Sequence, residues 1–221
     1  MKLKTQKIIC IILMLLPLAV TAVAIMFMPE QVPAHYGIDG QVDRWGSKYE
    51  SLILPLMTVV LGAFLLVVAK FSSDDENSVR SNEKVTILTN IVVLLLMNAV
   101  NVYFLYTSLA MVSDLNSISV DIFSLVFVIF GIGFVFIGNI MPKAKINSLI
   151  GMRTPWSMKN EETWRRCQRF SGIVGIIIGL IMAIGCMFFF KGTSALIFSL
   201  SLIAVMCVAD TVYSYMVARK Y

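Results

Sequence analysis

The residues able to do chemistry in this chain fall into three groups. The first is His35, the sole histidine, with Tyr36, Asp39, Asp43, Arg44 and Trp45 in the stretch MPEQVPAHYGIDGQVDRWGSKYE. The second is Gly151–Phe170, GMRTPWSMKNEETWRRCQRF, which gathers Arg153, Trp156, Lys159, Glu161, Trp164, Arg165, Arg166 and Arg169. The third is a scatter of polar residues inside long apolar runs: Asn90, Asn98, Asn101 and Asp210. Catalysis needs a clustered acid, base, nucleophile or metal set. One histidine, no HExxH, no GxSxG and one acid within an apolar run do not supply it, so the chain reads as a non-enzyme. His35 with Asp39 and Asp43 has neither the spacing nor the ligand softness of a metal site, and it reads as a polar turn residue or a mild pH-sensitive group. Cys10, Cys167, Cys186 and Cys207 show no CxxC spacing, which argues against zinc and against a disulfide framework; they read as small buried hydrophobes. No metal and no cofactor is expected. Recognition is the chemistry these groups point to.

The elements that position them are membrane spans. Hydrophobic residues make up 58% of the chain and charged ones 14%, against about 25% charged in ordinary soluble domains. Apolar runs at Ile8–Met28, Ser51–Phe71, Val85–Val112, Ile122–Met141, Phe170–Phe190 and Thr193–Val217 are each long enough to cross a bilayer as a helix. The expected fold is all-α: one domain, residues 1–221, a bundle of six transmembrane helices. Ala22-Val23-Ala24 resembles a signal-peptidase site, but the apolar run continues past it, so a retained first helix is expected, kinked at Pro17. The stretch SSDDENSVRSNEK reads as a short acidic linker.

Orientation follows from charge. Lys2, Lys4, Lys7, Lys70, Arg80, Lys84, Lys143, Lys145, Arg153, Lys159, Arg165, Arg166, Arg169, Arg219 and Lys220 fall on one side of such a bundle, and Arg44, Lys48 and Lys191 on the other. Cytoplasmic loops carry the excess of Lys and Arg. Both termini and the loop 142–170 are therefore expected inside, and the loop 29–50 outside. The net charge of +5 is an orientation signal and a lipid-headgroup contact, with no direct binding of nucleic acid.

Within the inner loop, Pro155 disfavours helix at Thr154, and Asn160 is placed to cap a helix beginning near Glu161. Glu161–Arg165 and Glu162–Arg166 have the favourable i,i+4 order, worth about 0.3–0.5 kcal/mol each. Arg153, Trp156, Glu161, Trp164, Arg165 and Arg169 together form a candidate cytoplasmic partner surface, since Trp and Arg dominate binding hot spots; the competing reading is an interfacial anchor on anionic lipid. In the outer loop Pro29 and Pro33 stiffen the entry, and Gly37, Gly40 and Gly46 mark turns. An Asp43–Arg44 charge pair is expected beside Trp45, and the loop is expected to be held by turns and hydrogen bonds or by the bilayer face. Asn90, Asn98 and Asn101 share a helix face, as interhelical hydrogen-bonding groups or as a polar path for a substrate. Gly175-x-x-x-Gly179 and Gly131-x-Gly133 allow close helix approach. Asp210 is either an interfacial residue or a partner of the inner arginines.

The pattern Pro29-x-x-x-Pro33-x-His35-Tyr36, then Asp39-Gly40 and Asp43-Arg44-Trp45-Gly46, resembles an extracytoplasmic module of bacterial membrane proteins. Gly151-Met152-Arg153-Thr154-Pro155-Trp156, with Asn160-Glu161-Glu162-Thr163-Trp164 and Arg169, is similar to the signature of the SdpI family, in which module and signature occur in this order. The resemblance implies a multi-pass protein of the bacterial cell membrane with an immunity or signalling role. Such a protein would protect against a secreted toxin peptide and could draw a cytoplasmic transcriptional repressor to the membrane. Against this stand two other readings: a transporter or exporter of a small molecule or peptide, which would want inverted repeats or broken helices near the midplane, and a membrane enzyme.

Overall fold

A computed structural model describes residues 2–71, 76–147 and 150–221, the backbone alone over 76–81. Residues 72–75 of the acidic linker, and the side chain of Arg80, lie outside the described residues. Six helices are long and apolar enough to cross a membrane among those described: α1 (Leu3–Ala24), α2 (Ile53–Lys70), α3 (Glu76–Leu109), α4 (Ile122–Ile140), α5 (Glu161–Phe188) and α6 (Gly192–Lys220). The chain is a multi-pass helical membrane protein.

Local chemistry explains where these helices begin and end. Asp121 caps α4 by accepting from the Ser124 N–H at 2.7 Å, and Asn160 caps α5 by accepting from the Thr163 N–H at 2.8 Å; each satisfies a donor that has no intrahelical partner. Gly192, at φ +54°, makes the tight turn into α6. α1 stays helical through Pro17. The missing N–H of proline is tolerated there because Pro17 is buried against neighbouring helices. α3 departs from expectation: it starts at Glu76, not Val85, so most of the polar linker extends a span whose apolar part begins later.

Two cores hold the bundle. Cys10, Met14, Ala69, Ile87 and Leu94 pack α1, α2 and α3 together. Phe127, Ile178, Met182, Cys186 and Ala195 pack α4, α5 and α6. Cys207 faces outward, against the expectation of burial. In the second group α4 and α5 lie backbone to backbone: a Cβ on Gly131 would stand 2.5 Å from the Gly179 carbonyl oxygen, and one on Gly138 2.5 Å from that of Gly172. In the first group the asparagines of α3 stitch the helices. Asn90 donates to the Gly62 carbonyl (3.0 Å), Asn98 to the Leu13 carbonyl (2.9 Å), and Asn101 to the Thr21 hydroxyl (3.2 Å).

The loop 29–50 is more regular than its turn-rich composition implies. Two strands, β1 (Gln31–Tyr36) and β2 (Val42–Ser47), pair antiparallel, with Val32 opposite Gly46 and His35 opposite Arg44. A proline inside a short run demotes it as a strand candidate, yet Pro33 fits because this ladder is two strands wide and irregular beside it. The hairpin root, Ile25, Met28 and Val32, packs on Leu105 of α3.

Candidate functional sites at the two ends of the bundle

At one end the hairpin is clipped onto the loop between α3 and α4. The Val42 N–H donates to the Ser113 carbonyl (3.0 Å), and the Leu115 N–H to the Gly40 carbonyl (2.9 Å). Tyr36 donates its hydroxyl to the Val112 carbonyl at 2.9 Å, and burial raises its pKa. The Asn116 amide donates to the Asp39 carbonyl (2.8 Å) and to the Asp114 carboxylate (2.8 Å). The backbone N–H of Asn116 holds the Asp114 carboxyl below the usual carboxylate range. Asp39 spends its own carboxylate on the turn, accepting from the Gln41 N–H at 3.1 Å.

Asp43 and Arg44 do not pair with each other. Adjacent residues of a strand point to opposite faces, so Asp43 reaches His35 Nδ1 at 2.7 Å while Arg44 reaches Glu50 at 2.9 Å. Trp45 is 45% exposed. Under the hairpin, between it and the ends of α3, α4 and α6, lies a cavity of about 710 Å³. His35 and Tyr36 line it, with Ile38, Phe104, Asn116, Asp121 and Lys191. Of the six outer candidates these two line it; Asp43 is joined to it through His35, and Arg44 lines a smaller cavity of about 260 Å³ beside Val32 and Met57. Sequence reasoning missed Val112, Asp114 and Asn116, whose one signal was an Asp and Asn in a short polar loop, the residues of Asx turns. A cavity of this size with mixed lining suits a ligand of small-molecule size or the end of a peptide.

At the other end, residues 150–160 fold back onto α5 and α6. Gln168, fully buried, accepts from the Met152 N–H and donates to the Met152 carbonyl, both at 2.9 Å. Thr154 and Ser157 exchange bonds of 2.8 and 2.9 Å, and the Thr154 hydroxyl donates to Ser214 of α6 at 2.9 Å. Lys159 donates to the Ala218 carbonyl at 2.8 Å. Trp156 stands edge-on to Tyr215, ring centroids 5.3 Å apart, and stays 39% exposed.

Two expectations fail here. Trp164 is not on the surface: it is 2% exposed, packs with Val85 and Ala144, and donates its indole N–H to the Ala144 carbonyl at 2.9 Å. It is a structural anchor, facing inward because the apolar ring completes the core where the loop after α4 crosses α5. Glu161 forms no pair with Arg165. Arg165 takes Glu162 instead (2.9 Å), beside the expected Glu162–Arg166 pair (2.6 Å). The exposed remainder is Arg153, Trp156, Glu161, Arg165 and Arg169. Gln168 and Ser157, which fix the loop, carried no sequence signal.

Asp210 is bound to no arginine among the described residues. It is buried between α6 and α5, accepts from the Ser171 hydroxyl at 2.7 Å, and leaves its other oxygen without a partner. Among the described residues no group of three or more His, Cys, Asp or Glu is arranged to hold a metal ion.

Comparison with known proteins adds to this geometry. Residues 143–214 match the SdpI/YfhL protein family, and residues 12–59 match a domain of unknown function (DUF1648). The immunity protein SdpI of Bacillus subtilis (strain 168) is 25% identical over 219 residues, covering 97% of each chain. An uncharacterized protein of Archaeoglobus fulgidus is 44% identical over 43 residues, 20% of this chain and 24% of that one. No solved structure matches.

Proposed function

We propose, for a chain that belongs to the SdpI/YfhL protein family and is a multi-pass protein of the bacterial plasma membrane, an immunity function: protection of the cell against a secreted antimicrobial peptide. The observation that carries this is similarity to an immunity protein along the whole chain, 97% of each, rather than over one motif. The hairpin end faces outward in this reading, as the distribution of Lys and Arg requires, and both termini are cytoplasmic. The protein acts by binding, without turnover.

The ligand is taken at the cavity beneath the hairpin. His35, held by Asp43, and Tyr36, held by Val112, present a fixed polar edge beside the apolar Ile38 and Phe104. On the inner side Arg153, Trp156, Arg165 and Arg169 offer a surface to a cytoplasmic partner, a transcriptional repressor in the finer form of the reading. An exposed Trp braced by Tyr215 among exposed arginines has the composition of a hot spot. For binding outside to alter the inner surface, the ligand must bind two states of the bundle unequally.

Survival of toxin-sensitive bacteria expressing this chain, challenged with candidate secreted peptides, tests the reading. Wild type protects, Asp43→Ala loses protection by unseating His35, and Arg153→Ala keeps protection while losing any repressor recruitment. If the wild type protects against none of the peptides, the immunity reading fails.

A further inference from the structure

Ile118 and Ser119 form a wall common to two hollows. On one side lies the cavity beneath the hairpin. On the other lies a groove of about 860 Å³ between α1, α3 and the start of α4, lined by Leu16, Asn98, Val102, Tyr103, Tyr106 and Leu125 with that wall. The groove stands at membrane depth. The Asn82–Leu109 part of α3 has 28 residues, or about 42 Å at helical rise, enough for the hydrocarbon core and both headgroup layers of a bilayer. Tyr103 is then about 9 Å below the end of α3, at the hydrocarbon boundary where the ester groups of phospholipids lie, and Asn98 is deeper.

Polarity along the groove is graded. At its deep end the Asn98 amide is already engaged by the carbonyls of Leu13 and Leu94, which leaves an apolar surface. At the boundary Tyr103, 6% exposed, has a buried hydroxyl without a hydrogen-bond partner, costly where no water reaches it. Ser119 of the shared wall lines the cavity beneath the hairpin together with Lys191. The other basic residues of this end are paired, Arg44 with Glu50 and Lys48 with Glu30. Lys191 is exposed, with no acidic partner among the described residues. The acid nearest in sequence to this wall, Asp121, spends its carboxylate on the N–H groups of Ser124 (2.7 Å) and Gly192 (3.0 Å).

We propose that this groove is a binding site for an anionic phospholipid of the hairpin-side leaflet. One acyl chain runs along α3 from Tyr106 towards Asn98, an ester carbonyl accepts from the Tyr103 hydroxyl, and the phosphate lies over Ser119 towards Lys191. The acyl chain lies outside the cavity beneath the hairpin, and the phosphate meets the wall and the lysine that the two hollows share.

The test uses the full chain in liposomes of phosphatidylethanolamine and phosphatidylglycerol, doped with a phosphatidylglycerol bearing a diazirine at its chain end. Labelled positions are mapped by peptide mass spectrometry. Labelling of residues 98–106 should exceed that of the exposed lipid face of α6 around Val205 and Val208. Ala99→Trp, which fills the groove, and Ser119→Trp, which closes its mouth from a loop, should each bring it down to the α6 level. Lys191→Glu should lower it by more than about fivefold, since losing one basic residue at an anionic surface is worth about 1 kcal/mol and the new carboxylate repels the lipid, and Tyr103→Phe should lower it as well. Labelling no higher than on α6, or labelling unmoved by Ala99→Trp, Ser119→Trp and Lys191→Glu, overturns the proposal. So does a groove labelled by a photoreactive secreted peptide but not by the lipid.

Discussion

His35, Trp164 and Gln168 show how one side chain decides what an end of this bundle presents. His35 is aimed by Asp43 rather than free, so Asp43→Ala alters a cavity residue without touching the hairpin ladder. Trp164 is the reverse case, an aromatic that looks like a binding residue and works as a plug. Trp164→Ala is expected to destabilise by about 3–5 kcal/mol, the cost of emptying a large aromatic site, read by denaturant titration in mixed micelles. Gln168→Leu leaves the Met152 N–H without its partner, at about 1–3 kcal/mol for an unsatisfied group, while the Met152 carbonyl keeps the Ser157 hydroxyl. Limited proteolysis between residues 150 and 160 should accelerate while the bundle stays folded.

Close approach of α4 to α5 rests on positions where there is no side chain to compress. Gly179→Leu drives carbon into the Gly131 carbonyl, and a clear fall in thermal midpoint is expected in detergent, larger than for Gly175→Leu, whose nearest neighbour stands at 3.8 Å. On α3, Asn98→Leu should cost only about 0.6 kcal/mol, the usual worth of a hydrogen bond between membrane helices. The hairpin is an element by virtue of its docking loop. Asp114 has a lowered carboxyl pKa in the folded chain because its carboxylate accepts from the Asn116 N–H. Its contribution is present above the unfolded value of about 3.9 and is lost as pH falls through the folded value. Amide exchange at Val42 and Leu115 should therefore accelerate, relative to its intrinsic rate, as pH is lowered towards 3, and Asp114→Asn should remove that acid dependence.

Across the whole molecule, the two ends are built differently from one bundle. The hairpin end has a roofed cavity opening beside a lateral groove; the end that holds the termini has a loop pinned to α5 and α6, with arginines and Trp156 outward. An inside location of the termini makes a direct prediction. In a background without the four native cysteines, a cysteine at Ile38 should react with an impermeant maleimide on intact cells, and one at Arg153 only after permeabilisation. The opposite pattern would invert the assignment of the two ends and remove the cavity from the reach of a secreted ligand.

Hydrophobic run length and charge placement determined the spans, because a bilayer accepts only long uncharged helices and sorts Lys and Arg by side. The start of α5 at Glu161 was equally legible, since a cap is a contact between residues three apart. Tertiary structure alone decided the rest. Whether Trp164 faced water or the Ala144 carbonyl, and whether Pro29–Glu50 was a coil or a docked hairpin, depended on segments far away in the chain. Asp114 and Asn116 enter the outer site for the same reason: their partners, Gln41 and Asp39, lie more than 70 residues earlier, and no local pattern encodes a contact across that distance.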